Sequence, residues 1–251
     1  MHVLVRYNHI KAYEKTIYMI RNLSDLSQYK TIITNDGHKI RVNPFDMYIS
    51  RDLANWGHWE PHIRGVLSER CKEGMNFIDI GANIGAHTLY MSKLVGPTGR
   101  GFAFEPCSIH SSILFYNLMT NNCFNTTVYQ YGCSDTEETM YVEERFTLTK
   151  KQDNFGGITL QKAKSENNDE PIQTQVLDKM NLPRIDIVKI DAEGMEERVI
   201  NGMREIIARD KPMFILEIHS ECEHTMFQLL SSIGYTVSRI ENSWDFLAVP
   251  N

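Results

Sequence analysis

Apolar and polar positions alternate along the chain in the pattern of an α/β protein. Five short runs rich in apolar residues predict strands, and the stretches between them repeat apolar residues at helical spacing. The predicted strands cover residues 77–80, 101–104, 128–131, 185–190 and 213–219. The predicted helices cover residues 87–93, 108–121 (capped by Ser108), 199–207 and 222–232. This alternation predicts a mostly parallel sheet with helices on both faces.

A final hairpin closes the alternating region. Residues 235–240 and 244–249 form two further strand patterns, separated by three polar residues. Together with the five strands before them they predict a seven-stranded sheet in which one strand is reversed.

The N-terminal part of the chain has a different pattern. A helix is predicted over residues 14–29, and a β-hairpin over 31–42 turns at Asn-Asp-Gly, whose residues tolerate positive φ. A second helix begins at Pro61, which suits a first helical turn. We therefore divide the chain into an extension, 1–73, that is a candidate lid, and a cofactor-binding domain, 74–251.

The first core strand leads into a glycine loop that carries candidate chemistry. Asp79, Gly81, Asn83, Gly85 and Thr88 follow one another across a strand, a tight turn and a helix start. Such units bind nucleotide-like cofactors at the carboxyl end of a parallel sheet. Dinucleotide loops have glycine at the middle position, where pyrophosphate lies against backbone, and here an asparagine fills that space. The loop therefore favours a phosphate-free cofactor such as S-adenosylmethionine.

An acidic residue ends the second core strand. Glu105 lies twenty residues after Gly85 and is followed by Pro106. A carboxylate at this point can accept hydrogen bonds from both ribose hydroxyls of a nucleoside. The alternative is a surface glutamate on an ordinary α/β crossover.

Three motifs give the chain a resemblance to a known family. The segments 78–85 (Ile-Asp-Ile-Gly-Ala-Asn-Ile-Gly), 103–106 (Ala-Phe-Glu-Pro) and 189–196 (Lys-Ile-Asp-Ala-Glu-Gly-Met-Glu) resemble the FkbM family of S-adenosylmethionine-dependent methyltransferases. The resemblance runs from about Ile40 to Ser220. It implies a Rossmann-like class I methyltransferase fold, S-adenosylmethionine as cofactor, and O-methylation, often of sugar or other alcohol hydroxyls.

The resemblance also implies roles for residues outside these motifs. Family members often carry an aromatic–Glu pair before the first core strand, so Glu60 is a candidate lid residue over the cofactor; alternatively it only favours the helix that follows. After the third strand, Cys133 and Ser134 would pack their backbone on the adenine and Asp135 would take its amine, although a plain turn is the alternative. The polar segment 147–170 is either a mobile binding loop or a solvated hairpin.

Ionisable residues at the ends of two later strands suggest the catalytic step. Asp191 ends the fourth strand, and Glu217 and His219 end the fifth. Methyl transfer to an alcohol requires a group that accepts the hydroxyl proton, and these three are the candidates. Asp191 is also a candidate cofactor contact. Direct base catalysis is our first interpretation, so no metal is assigned. The second interpretation is a divalent metal held by the same three side chains. The spacing of His219, Cys222 and His224 is only a weak indication of a metal site.

Composition restricts the classes of partner and compartment. The chain has 251 residues, 42% hydrophobic and 23% charged, with a net charge of −6. Acidity disfavours a nucleic-acid partner, and the sequence has no apolar run long enough for a membrane span. Five cysteines, an odd number, and a start without a signal-peptide core predict a cytoplasmic protein with reduced thiols.

The expected partner is a hydroxylated small molecule or glycan acceptor, and the sequence leaves the oligomeric state open. The alternatives are an inactive methyltransferase-like binding protein and a nicotinamide-dependent oxidoreductase.

Overall fold

A computed structural model of the protein describes residues 29–142, 153–163, 169–241 and 243–251. The helix predicted over 14–29 lies outside these described residues, apart from its last residue. The strands within the described residues are β1 Lys30–Ile33, β2 Lys39–Val42, β3 Asn76–Ile80, β4 Arg100–Phe104, β5 Thr126–Tyr129, β6 Gly132–Cys133, β7 Thr139–Val142, β8 Glu170–Gln175, β9 Ile187–Ile190, β10 Met213–Glu217, β11 Tyr235–Arg239 and β12 Asp245–Pro250. The α-helices are α1 Ile49–Trp56, α2 Pro61–Arg70, α3 Ala86–Val95, α4 Ser108–Thr120, α5 Glu196–Asn201, α6 Arg204–Asp210 and α7 Glu223–Ser232.

Seven strands form the central sheet in the order β11-β12-β10-β9-β3-β4-β5. Strands β10, β9, β3, β4 and β5 run parallel, and β12 is antiparallel to both of its neighbours. The predicted mostly parallel sheet with a closing antiparallel hairpin is confirmed. Between β5 and β9 along the chain, three strands form a separate smaller sheet in the order β6-β8-β7.

Helices cover both faces of the central sheet. Phe77 and Ile78 are neighbours on β3, both are fully buried, and they belong to different hydrophobic clusters. Side chains of adjacent strand residues point to opposite faces, so neither face of β3 is open to solvent. This explains why the core strands are mostly apolar rather than alternating. None of the described helices is both long and apolar enough to cross a membrane.

The N-terminal hairpin is fastened to the core by side chains of α4. Asn117 Oδ1 accepts the backbone N–H of Arg41 at 2.7 Å, and Asn121 Oδ1 accepts that of Lys39 at 2.8 Å. Ile40 of the hairpin is buried in the same cluster as residues of α4. The hairpin therefore packs as part of the core, and the division of the chain at residue 73 stays a prediction.

The single helix predicted over 199–207 is wrong, because the chain breaks at Gly202 into α5 and α6. A Cβ at Gly202 would lie 2.1 Å from the carbonyl oxygen of Ser134, so the backbone passes too close for any side chain. Asp178 then starts the next helix, since its carboxylate accepts the N–H of Glu205 at 2.9 Å and of Ile206 at 3.0 Å.

The predicted cap of α4 is also wrong. Cys107 occupies the cap position, and α4 has no side-chain cap hydrogen bond. Ser108 instead donates its hydroxyl to Glu170 Oε2 at 3.1 Å. The hydroxyl therefore ties α4 to the start of β8 rather than to its own first turn.

Candidate active site

The glycine loop joins β3 to α3 with a backbone that only glycine permits at two positions. Gly81 has φ +74°, and a Cβ there would lie 1.7 Å from the carbonyl oxygen of Asp191. Gly85 has φ +92°, and its Cβ would lie 2.5 Å from the side chain of Leu114. Asn83 between them has φ +49°. The loop is thus held against the end of β9 and against α4.

A cavity of about 350 Å³ opens where the parallel strands end. That volume is in the range of small-molecule sites, about 300–1,000 Å³. Its lining combines the glycine loop, the ends of β4, β9 and β10, the segment before α2, and residues 154–160. The lining includes Tyr48, Trp59, Glu60, Gly81, Asn83, Glu105, Pro106, His110, Cys133, Asn154, Gly156, Asp191, Glu193, Glu217 and His219.

Glu105 is the most deeply buried carboxylate of this lining, with 4% of the residue exposed. Its Oε2 accepts the N–H of Asn83 at 2.9 Å, and its Oε1 accepts that of Cys107 at 2.9 Å. Burial raises the pKa of Glu105 to about 8, although the two N–H groups oppose that rise. Each oxygen keeps a free lone pair, so the carboxylate can still accept two hydroxyl groups from the cavity.

Asp191 and Glu217 end neighbouring parallel strands, as predicted, and their carboxyl groups share a hydrogen bond. Burial would raise the pKa of Asp191, but the Lys189 charge and this hydrogen bond hold it below its usual range. Burial and the Asp191 charge raise the pKa of Glu217 to about 9. At neutral pH the pair therefore holds one proton, on Glu217.

His219 lies at the more open side of this group. Its Nε2 is 3.8 Å from Glu193 Oε2, and its side chain is 47% exposed. Burial and the Asp191 charge raise the pKa of Glu193 above its ordinary value. All three predicted catalytic side chains line the cavity, and His219 is the exposed one, whereas Asp191 and Glu217 are half-buried.

A buried lysine, given no role in the sequence analysis, lies beneath the carboxylates. Lys189 on β9 has a side chain only 5% exposed, and its Nζ is 3.1 Å from Asp191 Oδ2. Burial would lower the pKa of Lys189, but the charges of Asp191, Asp79 and Glu60 outweigh that effect and raise it. A single lysine inside an otherwise apolar strand pattern is the signal that could have found it.

Asp79 and Thr88 are buried behind the loop rather than in the main cavity. Thr88 donates its hydroxyl to Asp79 Oδ2 at 2.5 Å, while Asp79 Oδ1 is buried and has no hydrogen-bond partner. Asp79 is directly opposite Lys189 in the β3–β9 register. Asp79 and Lys189 thus lie side by side on neighbouring strands, one residue before Ile80 and Ile190 at the strand ends.

Glu60 faces the cavity. It has φ +43°, it makes no hydrogen bond to the first turn of α2, and its Oε2 is 2.7 Å from His87 Nε2. Burial would raise the pKa of Glu60, but the bond to His87 and its charge keep it below its usual value. Its side chain therefore belongs to the site, and His87 is a second residue that the sequence analysis missed.

The three residues predicted at the adenine are not all at the cavity. Cys133 lines it, whereas Ser134 is buried and donates its N–H to Gln175 at 3.0 Å. Asp135 is outside the lining, since its carboxylate accepts a 2.8 Å hydrogen bond from Arg198 Nε. The structure thus brings Cys133 to the other site residues and turns Asp135 toward α5.

Residues 153–163 form a strap across one side of the cavity. Asp153 exchanges backbone hydrogen bonds with Phe45 and Met47, at 3.3 and 3.0 Å. Phe155 is buried, and its N–H lies 3.4 Å from Asp46 Oδ1. The strap is therefore attached to the segment that precedes α1, and it brings Asn154 to the cavity.

Comparison with known proteins identifies the family. The sequence profile of the Methyltransferase FkbM domain matches residues 79–237, which is more than half of the chain and contains the glycine loop, Glu105 and Asp191. The chain belongs to the FkbM methyltransferase family. This confirms the resemblance that the three sequence motifs indicated.

Two curated relatives of this FkbM protein are themselves named methyltransferases. Methyltransferase sdnD of Sordaria araneosa is 26% identical over 208 residues, which are 69% of this chain and 78% of that protein. Methyltransferase 1 of Beauveria bassiana is 26% identical over 145 residues, 50% of this chain and 57% of that protein.

Solved structures share the fold. An FkbM methyltransferase from Methylobacillus flagellatus KT matches with a TM-score of 0.51 and 18% identity, over 70% of this chain and 43% of that one. This chain therefore spans less than half of that protein. An S-adenosylmethionine-dependent O-methyltransferase from Thermotoga maritima matches with a TM-score of 0.50 and 13% identity, over 87% and 76% of the two chains. The predicted class I methyltransferase fold is confirmed.

Proposed function

We propose that this FkbM methyltransferase transfers a methyl group from S-adenosylmethionine to a hydroxyl of a sugar, glycan or other small alcohol. The observation that carries the proposal is the cavity lining, in which a ribose-type carboxylate and a group of possible proton acceptors face the same space. S-adenosylmethionine supplies an electrophilic methyl group on a positively charged sulfur. The residues of the chain must therefore bind a cation, orient a hydroxyl and accept its proton.

The charge of the cavity supports this cofactor. Five carboxyl side chains line it: Glu60, Glu105, Asp191, Glu193 and Glu217. Its described lining residues include no Lys or Arg. Glu60 and Asp191, whose pKa values are lowered, supply the negative charge of this lining. That charge attracts a sulfonium and repels the pyrophosphate of a nicotinamide dinucleotide. The glycine loop between β3 and α3 also places Asn83 where the binding of a pyrophosphate would need glycine. These features argue against the oxidoreductase alternative.

The proton-accepting role falls to His219 with support from Asp191. Asp191 is paired with Lys189 Nζ at 3.1 Å, and its lowered pKa makes it a weak base that keeps a fixed negative charge. As the S–CH₃ bond breaks, the sulfur becomes neutral and positive charge passes to the attacking oxygen and then, with the proton, to His219. The charge of Asp191 stabilises this positive charge. Glu217, protonated at neutral pH, donates to Asp191 and keeps it in place. An alcohol held in line with the methyl group would thus find an imidazole base, His219, and a carboxylate, Asp191, beside it.

Ligand binding and turnover test the proposal in two steps. S-adenosylmethionine and S-adenosylhomocysteine should raise the melting temperature of the protein, and NAD should leave it unchanged. Incubation with S-adenosylmethionine carrying a deuterated methyl group and a panel of methyl glycosides and polyols should give labelled ethers and S-adenosylhomocysteine. Binding without turnover on any hydroxylated acceptor would favour the inactive binding protein, and stabilisation by NAD alone would favour the oxidoreductase.

A further inference from the structure

A second set of chemically reactive side chains lies at the edge of the cofactor cavity. Glu105, Cys107 and His110 carry a carboxylate, a thiol and an imidazole whose ligand atoms all lie within 4.8 Å of one another. The three residues are between 2% and 4% exposed, and they follow each other where the chain passes from β4 into α4. Glu105 and His110 line the cavity, so one side of the cluster is open to it.

His110 is the member of the cluster that lacks a partner. Its Nδ1 is buried without a hydrogen bond, and it is 3.9 Å from Glu105 Oε1, too far for one. A buried polar atom without a partner destabilises the protein unless a ligand completes it. A neutral imidazole is the form that binds metal ions.

The donor set indicates which ion would fit this place. A thiol binds a metal ion as a thiolate and releases its proton when the ion binds. A thiolate with an imidazole selects a borderline-soft ion such as Zn²⁺ over Mg²⁺ or Ca²⁺.

We propose that Glu105, Cys107 and His110 bind a borderline divalent cation such as Zn²⁺, and that the bound ion prevents the cofactor from reaching Glu105. Three protein ligands are one fewer than the four of a closed zinc site, and two of them, Glu105 and His110, line the cavity. The exclusion rests on the proposed role of Glu105 in binding the cofactor ribose. The ion would then inhibit the enzyme in competition with S-adenosylmethionine, and it takes no part in methyl transfer.

The other carboxylate–imidazole group near the cavity does not support the same argument. Glu60, His62 and Asp245 also have ligand atoms within 4.8 Å of one another. However, His62 Nε2 and Asp245 Oδ2 already form a hydrogen bond of 2.7 Å, and Glu60 is bound to His87. That group contains no thiol, so a spectroscopic signal from thiolate does not arise there.

Cobalt spectroscopy tests the site directly. Chelator-treated protein is titrated with Co²⁺, whose bond to a thiolate gives a charge-transfer absorption band. The exposed free thiol Cys222 is removed first by Cys222→Ser, and this variant is the reference. The band should appear in the reference and be absent after Cys107→Ser. After His110→Asn the band should require at least roughly tenfold more Co²⁺, because even indirect partners of metal sites affect metal affinity about 10- to 100-fold. No band in the reference, or a band that persists after Cys107→Ser, would overturn the proposal.

Competition is measured separately, by calorimetry of S-adenosylhomocysteine with and without saturating Zn²⁺. Zinc should raise the apparent Kd at least roughly tenfold in the reference variant and leave it unchanged in Cys107→Ser. If Cys107→Ser fails to fold, loss of the cobalt band on adding S-adenosylhomocysteine to the reference gives the same information. A protein that forms the band but binds no S-adenosylhomocysteine would contradict the proposed function and keep the metal site. Equal affinity with and without Zn²⁺ would refute the exclusion.

Discussion

Glu105 offers the sharpest test of how the cavity binds its cofactor. In Glu105→Ala the carboxylate is removed, and with it the two hydrogen bonds expected from the ribose hydroxyls. A hydrogen bond to a charged group contributes about 1.5–3 kcal/mol, so two contribute about 3–6 kcal/mol as an upper range. At about 1.4 kcal/mol for each factor of ten, the Kd should rise by about 10²- to 10⁴-fold.

Glu105→Gln is the conservative companion of this variant. The carboxylate accepts N–H groups on both oxygens, from Asn83 and from Cys107, each at 2.9 Å. A glutamine has one oxygen, so its NH₂ must face one of these donors. We therefore expect an intermediate loss of affinity, between those of the parent and the alanine variant.

The pH dependence of binding follows from the same contacts. The pKa of Glu105 is raised to about 8 by burial, and hydroxyl groups that donate to the carboxylate should lower it in the complex. Binding then releases a proton, so affinity should increase as the pH rises from about 6.5 to 8 and level off above that range, with a slope of at most about tenfold per pH unit. 5′-Methylthioadenosine is the suitable probe, because it has the ribose and adenine but no amino group that titrates there.

Calorimetry at several pH values measures this effect. Glu193→Gln, a change of the cavity carboxylate that lies 3.8 Å from His219, is the matched control and should behave like the parent. The pH dependence should disappear in Glu105→Gln. A folded Glu105→Ala protein with unchanged affinity would refute the reasoning. So would a parent whose affinity does not change with pH, or a pH dependence of affinity that persists in Glu105→Gln.

Three further predictions concern the surrounding residues. Lys189→Met should lower the free energy of unfolding by about 3–5 kcal/mol, because it leaves Asp191 and Asp79 buried without their cation; urea unfolding at pH 7 that shows a loss below about 1 kcal/mol would contradict this. Asp191→Asn should lower turnover by roughly 10²- to 10⁴-fold, and cofactor affinity much less, in steady-state kinetics paired with calorimetry; equal turnover would rule out its role. Asp46→Ala should speed hydrogen exchange in the strap 153–163 and reduce its protection by cofactor; identical exchange in both proteins would show that Asp46 does not hold the strap.

The sequence allowed the central sheet and the meeting of Asp191 with Glu217 to be predicted, because each strand and its end can be recognised from its own local pattern. Parallel neighbours place their carboxyl ends at one edge, and Leu216 is directly opposite Ile190 in the register. The hydrogen-bonded pair follows at once from that register. The glycine loop is equally local, since Gly81 and Gly85 need positive φ whatever the rest of the chain does.

Contacts between distant segments could not be predicted in the same way. Glu60 meets His87, and Asp135 meets Arg198, through side chains 27 and 63 positions apart in the sequence. The break at Gly202 depends on backbone of the β6 region and on Asp178, neither of which the local helical pattern contains. Such features arise from tertiary packing, which overrides local propensity.

Turnover of the parent and of His219→Ala, measured side by side, tests the central claim most directly. Both proteins are incubated with methyl-deuterated S-adenosylmethionine and the acceptor on which the parent is active, and labelled ether and S-adenosylhomocysteine are quantified by mass spectrometry. The account predicts equimolar products from the parent, a turnover roughly 10²- to 10⁴-fold lower for His219→Ala, and nearly equal cofactor affinity for both. A His219→Ala protein that turns over like the parent, or activity that is lost with a chelator and restored by a divalent ion, would contradict direct base catalysis by His219.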